Sequence, residues 1–177
     1  MSSRLSRLLL AVGLAIGAVT AATPAVAADG WACSVPAGQT YDRVERVLNT
    51  CGSGSLPRYY VRKPVELLIA CTLPSGFSYD TVDRSTQCST SGSAPRYRLR
   101  VPADMLTACT LPSGMTYDTV STSTLCSTSG SSPRYRLRTP AVGLWACTVP
   151  SGWTYTTSER TTLCSTSGLS TRYRLTR

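Results

Sequence analysis

Eight cysteines are the residues of this sequence whose type and spacing most directly imply a chemistry. They form two interleaved series, and in the first series each cysteine follows the previous one by 38 residues. The sequence contains no histidine and no Cys-x-x-Cys pair, so we predict disulfides and no metal site or other cofactor. The first series is Cys33, Cys71, Cys109 and Cys147, and the second is Cys51, Cys88, Cys126 and Cys164.

Two pairing schemes are compatible with this spacing. Each repeat contains one cysteine of each series, so the simpler scheme closes a loop within every repeat, which is worth roughly 3 kcal/mol per bridge. A repeat of this size cannot bury enough surface to fold without such a bridge. The rival scheme joins neighbouring repeats through Cys51–Cys71, Cys88–Cys109 and Cys126–Cys147, and leaves Cys33 and Cys164 to close the array.

Arginine is the second residue type that points to a chemistry. Residues 28–177 contain 16 basic and 9 acidic residues, and all but one of the basic residues are arginine. Arginine binds carboxylate, sulfate and phosphate through a planar fork of donors. Most of these arginines alternate with Tyr and Leu in one short segment of each repeat, which places them on one face of a strand. The predicted polyanion-binding residues are Arg58, Arg62, Arg96, Arg98, Arg100, Arg134, Arg136, Arg138, Arg172 and Arg174.

A basic stripe built in this way would bind a linear polyanion through many weak contacts. The expected partners are an anionic polysaccharide, a cell-wall polymer or extracellular nucleic acid. The competing interpretation is an ordinary solvated strand face, in which arginine protects sheet edges from pairing.

Aromatic residues recur beside the turns and the first cysteines. Trp31, Phe77, Trp145 and Trp153 could stack on sugar rings, although apolar side chains in small disulfide-rich units more often fill the core. A tyrosine is present at the same position of all four repeats, which indicates core or turn packing. These residues are Tyr41, Tyr79, Tyr117 and Tyr155.

Each repeat consists of three pieces that must position these residues. A short apolar strand ends at a Pro-x-Gly turn, a middle segment follows, and an arginine-rich strand closes the repeat. In residues 40–52, Val44, Val47 and Leu48 have helical spacing behind a Thr cap. We therefore predict a helix there and shorter helical turns in the Ser/Thr-rich middle segments of the other repeats. The predicted fold is a small, β-rich α+β array with two strands per repeat.

The repeats are predicted to pack as one body. Only residues 101–106 separate the last strand of one repeat from the first strand of the next, which suits a hairpin-like return. The predicted bounds are 28–68, 69–106, 107–144 and 145–177, and the first repeat, which has a longer middle segment, is expected to act as a cap.

The first 27 residues are predicted to be a signal peptide and not part of the fold. Arg4 and Arg7 precede an apolar run, and Ala25 and Ala27 form a small-residue cleavage site. The run is too short for a spanning helix. The protein is therefore expected to be secreted and to function outside the cell or at the cell envelope.

The sequence favours binding over catalysis. It has no histidine, no free thiol is expected, and Asp42, Asp80 and Asp118 are replaced by Thr156 in the last repeat. A pair of acids acting in hydrolysis is the one catalytic arrangement left open. We predict a non-enzymatic protein that binds an anionic polymer or glycan. The alternatives are a structural protein that self-associates, and a secreted protease inhibitor or antimicrobial protein that presents residues 93–96.

Overall fold

The computed structural model describes residues 29–177, which form twelve β-strands and two short 3-10 turns. The predicted signal peptide lies outside the described residues. The strands are β1 Gly30–Ala32, β2 Thr40–Leu48, β3 Ser55–Arg62, β4 Ile69–Ala70, β5 Ser78–Ser85, β6 Ala94–Arg100, β7 Thr107–Ala108, β8 Thr116–Ser123, β9 Ser132–Arg138, β10 Trp145–Ala146, β11 Thr154–Thr161 and β12 Ser170–Thr176. The 3-10 turns are Thr86–Cys88 and Thr124–Cys126.

The strands form four three-stranded antiparallel sheets, one from each repeat. Every sheet has the same order, in which the third strand of the repeat lies between the first and the second, as in β1-β3-β2. The β-rich repeat architecture predicted from the sequence is confirmed. The helical part of the prediction and the two strands per repeat are wrong, because the middle segment is a third strand and helical structure in residues 29–177 is limited to the two 3-10 turns.

The predicted helix within residues 40–52 is wrong, because Thr40–Leu48 is strand β2. Its apolar residues fit a helical period, but β-branched residues also favour strands. As a strand, β2 pairs with β3 along its length and places Glu45 opposite Arg58. A helix would leave that side of β3 without backbone partners, which is costly for a three-stranded sheet.

The core of each repeat lies beneath its central strand. Leu99 and Leu137 are completely buried, and Val61 and Leu175 are only 1% exposed. The central strand alternates these residues with arginine, so the predicted separation of arginine from leucine on opposite faces is confirmed. With so few buried side chains in each sheet, the disulfides must contribute a large share of stability.

All four disulfides form within repeats, as the simpler scheme predicts. They are Cys33–Cys51, Cys71–Cys88, Cys109–Cys126 and Cys147–Cys164, with Cα–Cα distances of 5.2 to 5.3 Å. Disulfides persist in oxidising compartments, so the cross-links indicate such an environment for the protein. No helix in residues 29–177 is long and apolar enough to cross a membrane.

Consecutive sheets meet at their edge strands. The last strand in the order of one sheet lies beside the first strand of the next, as β2 does with β4, β5 with β7 and β8 with β10. The hairpin-like return predicted for residues 101–106 is not observed, because β7 pairs with β9 of its own repeat and does not pair with β6. Pairing with β9 satisfies β7 locally, and its other edge is left to contact the preceding repeat.

Candidate polyanion-binding face

Alternation along the central strands gives each sheet two chemically different sides. In β6, Arg96, Arg98 and Arg100 point to one side, and Tyr97 and Leu99 point to the other. We call the first side of the four sheets the arginine face and the second the tyrosine face. Both sides continue from repeat to repeat, because the sheets meet edge to edge.

A β-bulge lies in the second strand of each repeat, and in the first three repeats it brings a carboxylate to the arginine face. In β5 the register shifts between Tyr79 and Thr81, so Asp80 has no partner directly opposite. Bulges of this kind redirect a side chain. Asp80 accepts hydrogen bonds from Arg98 Nε at 2.6 Å and from Arg100 Nη1, and it is only 2% exposed. One carboxylate therefore holds two arginines of the same strand.

The third repeat has the same arrangement. Asp118 accepts from Arg136 Nε at 2.6 Å and from Arg138 Nη1 at 2.5 Å. Burial alone would raise the pKa of the Asp80 and Asp118 carboxyls, but the arginine hydrogen bonds and charges outweigh burial, so both pKa values lie below the ordinary value. Both groups are therefore ionised at neutral pH and fix the orientation of the guanidinium groups.

A second kind of ion pair joins residues directly opposite each other on neighbouring strands. Arg58 Nε donates to Glu45 Oε1 at 2.6 Å, and Arg96 donates to both oxygens of Asp83 at 2.9 and 3.1 Å. The hydrogen bonds from Arg96 lower the pKa of Asp83. Opposite charges across strands in this register stabilise the pairing. Repeats 1, 2 and 4 contain this pair, as Glu45–Arg58, Asp83–Arg96 and Glu159–Arg172.

A third carboxylate occupies the turn before the first strand in three repeats. Asp104 accepts the backbone N–H of Thr139 at 2.8 Å and Arg138 Nε at 3.0 Å. The backbone N–H of Thr139, followed by Arg138, lowers the pKa of the Asp104 carboxyl. Asp29 makes the same contacts with Arg62 and Lys63, and Glu66 makes them with Arg100 and Val101.

These contacts neutralise most of the predicted basic stripe. All nine acidic residues of the sequence form an ion pair with an arginine of this face. Of the ten arginines predicted to bind a polyanion, eight have a carboxylate partner. They are Arg58, Arg62, Arg96, Arg98, Arg100, Arg136, Arg138 and Arg172.

Two of the predicted arginines lack a carboxylate partner within residues 29–177. Ser121 lies opposite Arg134, where repeat 2 has Asp83. Thr156 replaces the bulge aspartate next to Arg174, and its side chain bonds only the Arg174 carbonyl oxygen. Net charge accordingly rises from +1 in each of the first two repeats to +2 in the third and +3 in the fourth. The excess positive charge is thus concentrated in the C-terminal half.

Two of the four predicted stacking aromatics lie on the arginine face. Trp31 lies opposite Tyr60 on β3, and the Arg58 guanidinium lies 4.6 Å from the centre of its ring. Trp145 lies opposite Arg174, and the Arg172 guanidinium lies 4.9 Å from its ring centre. Cation–π contacts of this kind hold an arginine beside an aromatic ring.

The other two predicted aromatics, Phe77 and Trp153, follow the glycines of the Pro-x-Gly turns and are half-buried. The Arg177 guanidinium lies 4.9 Å from the Trp153 ring centre. The structure therefore separates the four aromatics into a pair on the arginine face and a pair in the turns.

Open pockets surround the residues on the arginine face. The pocket in the first repeat has a volume of about 300 Å³ and is lined by Trp31, Asp42, Arg43, Tyr60 and Arg62. A second pocket crosses the junction of repeats 1 and 2, where Asp42 and Arg43 of one repeat meet Ile69, Gln87 and Arg96 of the next. The face is therefore accessible and continuous across at least this junction.

The tyrosines that recur in all four repeats lie on the tyrosine face, where neighbouring repeats pack. Tyr41 and Tyr59 contact each other edge-on with ring centres 5.0 Å apart, and they line a groove with Cys88, Ser89 and Thr90 of the next repeat. Tyr41, Tyr79 and Tyr117 lie at the three junctions between repeats, which is consistent with the predicted packing role. The fourth, Tyr155, differs, because it is 49% exposed.

The helical middle segments predicted from the sequence place the recurrent aspartates in a first helical turn, and they give no role to the acids opposite Arg58, Arg96 and Arg172. Both errors follow from the incorrect helix. If the middle segment is taken as a strand, the acidic residues fall opposite the arginines by alternation alone. The β-bulge, which brings Asp42, Asp80 and Asp118 to the arginine face, cannot be predicted from the spacing of the residues.

The chain matches no protein-family model, and no curated protein or solved structure is detectably similar to it. A function therefore has to be inferred from the geometry of the arginine face itself.

Proposed function

We propose that this protein is an exported, non-enzymatic binding protein that holds an anionic polymer or acidic glycan along the C-terminal half of the arginine face. The observation that carries the proposal is the cluster formed by Trp145, Arg172 and Arg174. Trp145 offers an aromatic surface, and Arg174 has no carboxylate partner in residues 29–177. The cluster combines a ring for stacking on a sugar with a guanidinium for a carboxylate, sulfate or phosphate.

Charge distribution supports the C-terminal location. An arginine held by a buried aspartate must lose that partner before it can bind a ligand anion with full strength, so Arg98 and Arg136 are poor sites of first contact. Arg134 and Arg174 have no such competition. Arg174 is also exposed, and it can therefore bind an anion without rearrangement.

Repetition supports a polymer over a small molecule as the ligand. Equivalent side chains recur in each sheet, and the sheets adjoin at their edges, so successive groups of one linear ligand can meet successive repeats. Weak contacts that are linked in this way add through effective concentration. The two pockets described on this face, both in repeats 1 and 2, are open, which suits an extended ligand that continues beyond the C-terminal half.

The test is retention on, and titration with, a panel of polymers: heparin, polygalacturonate, a poly(glycerol phosphate), single-stranded DNA and neutral dextran. We expect binding to the anionic polymers that weakens steeply with salt, as counterion release requires. Replacing both unpartnered arginines, Arg134→Gln and Arg174→Gln, should reduce affinity at least about tenfold and reduce the salt dependence by about one contact per arginine.

The matched control is Arg84→Gln with Arg160→Gln. It removes the same charge from two arginines of the second strands, whose guanidiniums bond the hairpin backbone at Ser93 and Leu169. This control should retain most of the affinity. Equal losses in the two double variants would show that only net charge matters, and binding that does not depend on salt would refute the proposal.

A further inference from the structure

The junction between consecutive repeats has the same hydrogen bonds in all three places where it occurs. The backbone N–H of the first cysteine of one repeat donates to a tyrosine carbonyl oxygen of the preceding repeat at 2.7 Å. The three bonds are Cys71 to Tyr41, Cys109 to Tyr79 and Cys147 to Tyr117.

A pair of hydroxyl groups accompanies each backbone bond. Thr40 Oγ1 lies 2.7 Å from Thr72 Oγ1 at the first junction. The same pair is formed by Ser78 with Thr110 at 2.7 Å and by Thr116 with Thr148 at 2.8 Å. Serine and threonine therefore both fit the second-strand side of this contact.

Burial at the junctions shows that they are well-packed interfaces. Thr40, Ser78 and Thr116 are completely buried although each carries a polar group. Such groups are tolerated in the interior only when they are hydrogen-bonded. The next repeat thus supplies both the cover and the hydrogen-bond partner.

No part of residues 29–177 covers the corresponding surface of the fourth repeat. Thr154, which corresponds to Thr116, is exposed, and Tyr155 is 49% exposed. The whole of strand β11 from Thr154 to Arg160 is exposed, whereas β2, β5 and β8 each begin with a buried residue. An exposed strand edge of this kind is a template for pairing with another chain.

The complementary surface is exposed at the other end of the described chain. Cys33 and Ser34 correspond to Cys71 and Thr72, and Cys33 is exposed, whereas Cys71 is only 7% exposed. The two ends therefore present the two halves of an interface that the chain already forms three times.

We propose that a second copy of this chain docks head to tail, with β1 of one copy beside β11 of the other. Cys33 N–H donates to the Tyr155 carbonyl oxygen, and the Ser34 hydroxyl pairs with that of Thr154. The interface joins two different surfaces, so it is heterologous and leads to open chains or to a closed ring. It is the structural basis for the self-association that the sequence left as an alternative.

This contact is expected to be weaker than the internal junctions. Within a chain, the 3-10 turns of repeats 2 and 3 also contact the preceding second strand, as Thr86–Cys88 does with β2. Residues 29–68 contain no 3-10 turn that could make the equivalent contact. Association should therefore depend on protein concentration in the micromolar to millimolar range, about 1 µM to 1 mM.

The experiment is sedimentation velocity of the oxidised protein over that concentration range without any polymer. The unmodified chain should form species larger than dimers as its concentration rises. Thr154→Glu blocks one surface and Ser34→Glu blocks the other, so each variant alone should remain monomeric. Their mixture retains one intact surface of each kind and should form one-to-one dimers and nothing larger.

Thr122→Glu is the matched control, because it adds the same charge to an exposed residue of β8 that pairs with Pro133 inside the third repeat, away from both terminal surfaces. This variant should associate like the unmodified chain. A monomer at all concentrations up to about 1 mM, dimers only, or a mixture that stays monomeric would overturn the proposal. Because no polymer is present, the result is independent of the proposed binding function.

Discussion

Replacing Asp80 with asparagine tests the central structural feature of the arginine face. The substitution keeps the shape of the side chain but removes the charge that holds Arg98 and Arg100. It also turns an amide N–H₂ group toward donors, so at least one of the two guanidiniums loses its acceptor. We expect a folded but less stable protein.

The magnitude follows from burial and hydrogen bonding. Hydrogen bonds to charged groups contribute about 1.5–3 kcal/mol each when they are shielded from water. The Asp80 side chain is 3% exposed, but those of Arg98 and Arg100 are 44% and 26% exposed, so solvent screens part of the interaction. We expect the free energy of unfolding to fall by about 2–3 kcal/mol for Asp80→Asn.

The assay is guanidinium chloride denaturation at pH 7 under non-reducing conditions, followed by tyrosine and tryptophan fluorescence. Asp83→Asn is the matched control on the same strand, because the Asp83 side chain is 53% exposed in its pair with Arg96. Exposed pairs contribute less than about 1 kcal/mol. If Asp80→Asn destabilised the protein no more than Asp83→Asn does, our assignment of the bulge carboxylate would be incorrect.

The same variant has a predicted effect on acid stability. Arg98 and Arg100 overcome the opposing effect of burial and lower the pKa of Asp80. A carboxyl with a lower pKa in the folded state stabilises the protein fully above the unfolded-state pKa of about 3.9, and this contribution is lost as the pH falls through the folded-state pKa. The unmodified protein should therefore lose stability below about pH 4. Asp80→Asn should lose less over the same range.

Three further predictions concern other repeats. Replacing Cys109 and Cys126 together with alanine should lower the free energy of unfolding by about 3 kcal/mol, measured by denaturant titration, and an unchanged midpoint would contradict the proposed dependence on disulfides. Met105→Gly should raise the free energy of unfolding by up to about 1 kcal/mol. Met105 is exposed at a positive φ of 62°, and Gly143 already occupies the equivalent position of the next repeat. A loss of stability would show that the Met105 side chain makes a stabilising contact. Asp118→Thr, which copies the fourth repeat, should strengthen binding to anionic polymers by releasing Arg136, whereas Arg138 keeps its pair with Asp104, and weaker binding would argue against the proposed site.

The ion pairs explain why a basic protein of this kind does not present a uniform basic stripe. Asp80 and Asp118 each fix two arginines and Asp42 fixes one, and each turn carboxylate fixes an arginine together with a backbone N–H. Such networks orient the guanidiniums and reinforce strand register at positions where the sheets have few buried side chains. Two arginines of this face, Arg134 and Arg174, have no carboxylate partner within residues 29–177, because Ser121 and Thr156 replace the acids of the other repeats.

The sequence by itself determined the period of the repeat and the alternation of arginine with leucine on the third strand, and it favoured the pairing of cysteines within repeats. These features depend on local spacing, and a strand of period two assigns Arg98 and Leu99 to opposite faces wherever it lies. The charge of the arginine face was not predictable in this way. It depends on the middle segment being a strand, and residues 40–48 satisfy helical and extended periods about equally well.

The tertiary structure decided which of these two forms the middle segment takes, because only β3 offers it a full set of backbone partners. Once the strand forms, the bulge turns Asp42, Asp80 and Asp118 toward the arginines, and the edge strands of successive repeats come into contact. Pairing and packing between strands, which the spacing of residues along one strand does not reveal, determine both outcomes. The residues available for ligands, and the surfaces available to a second chain, are therefore properties of the assembled sheets.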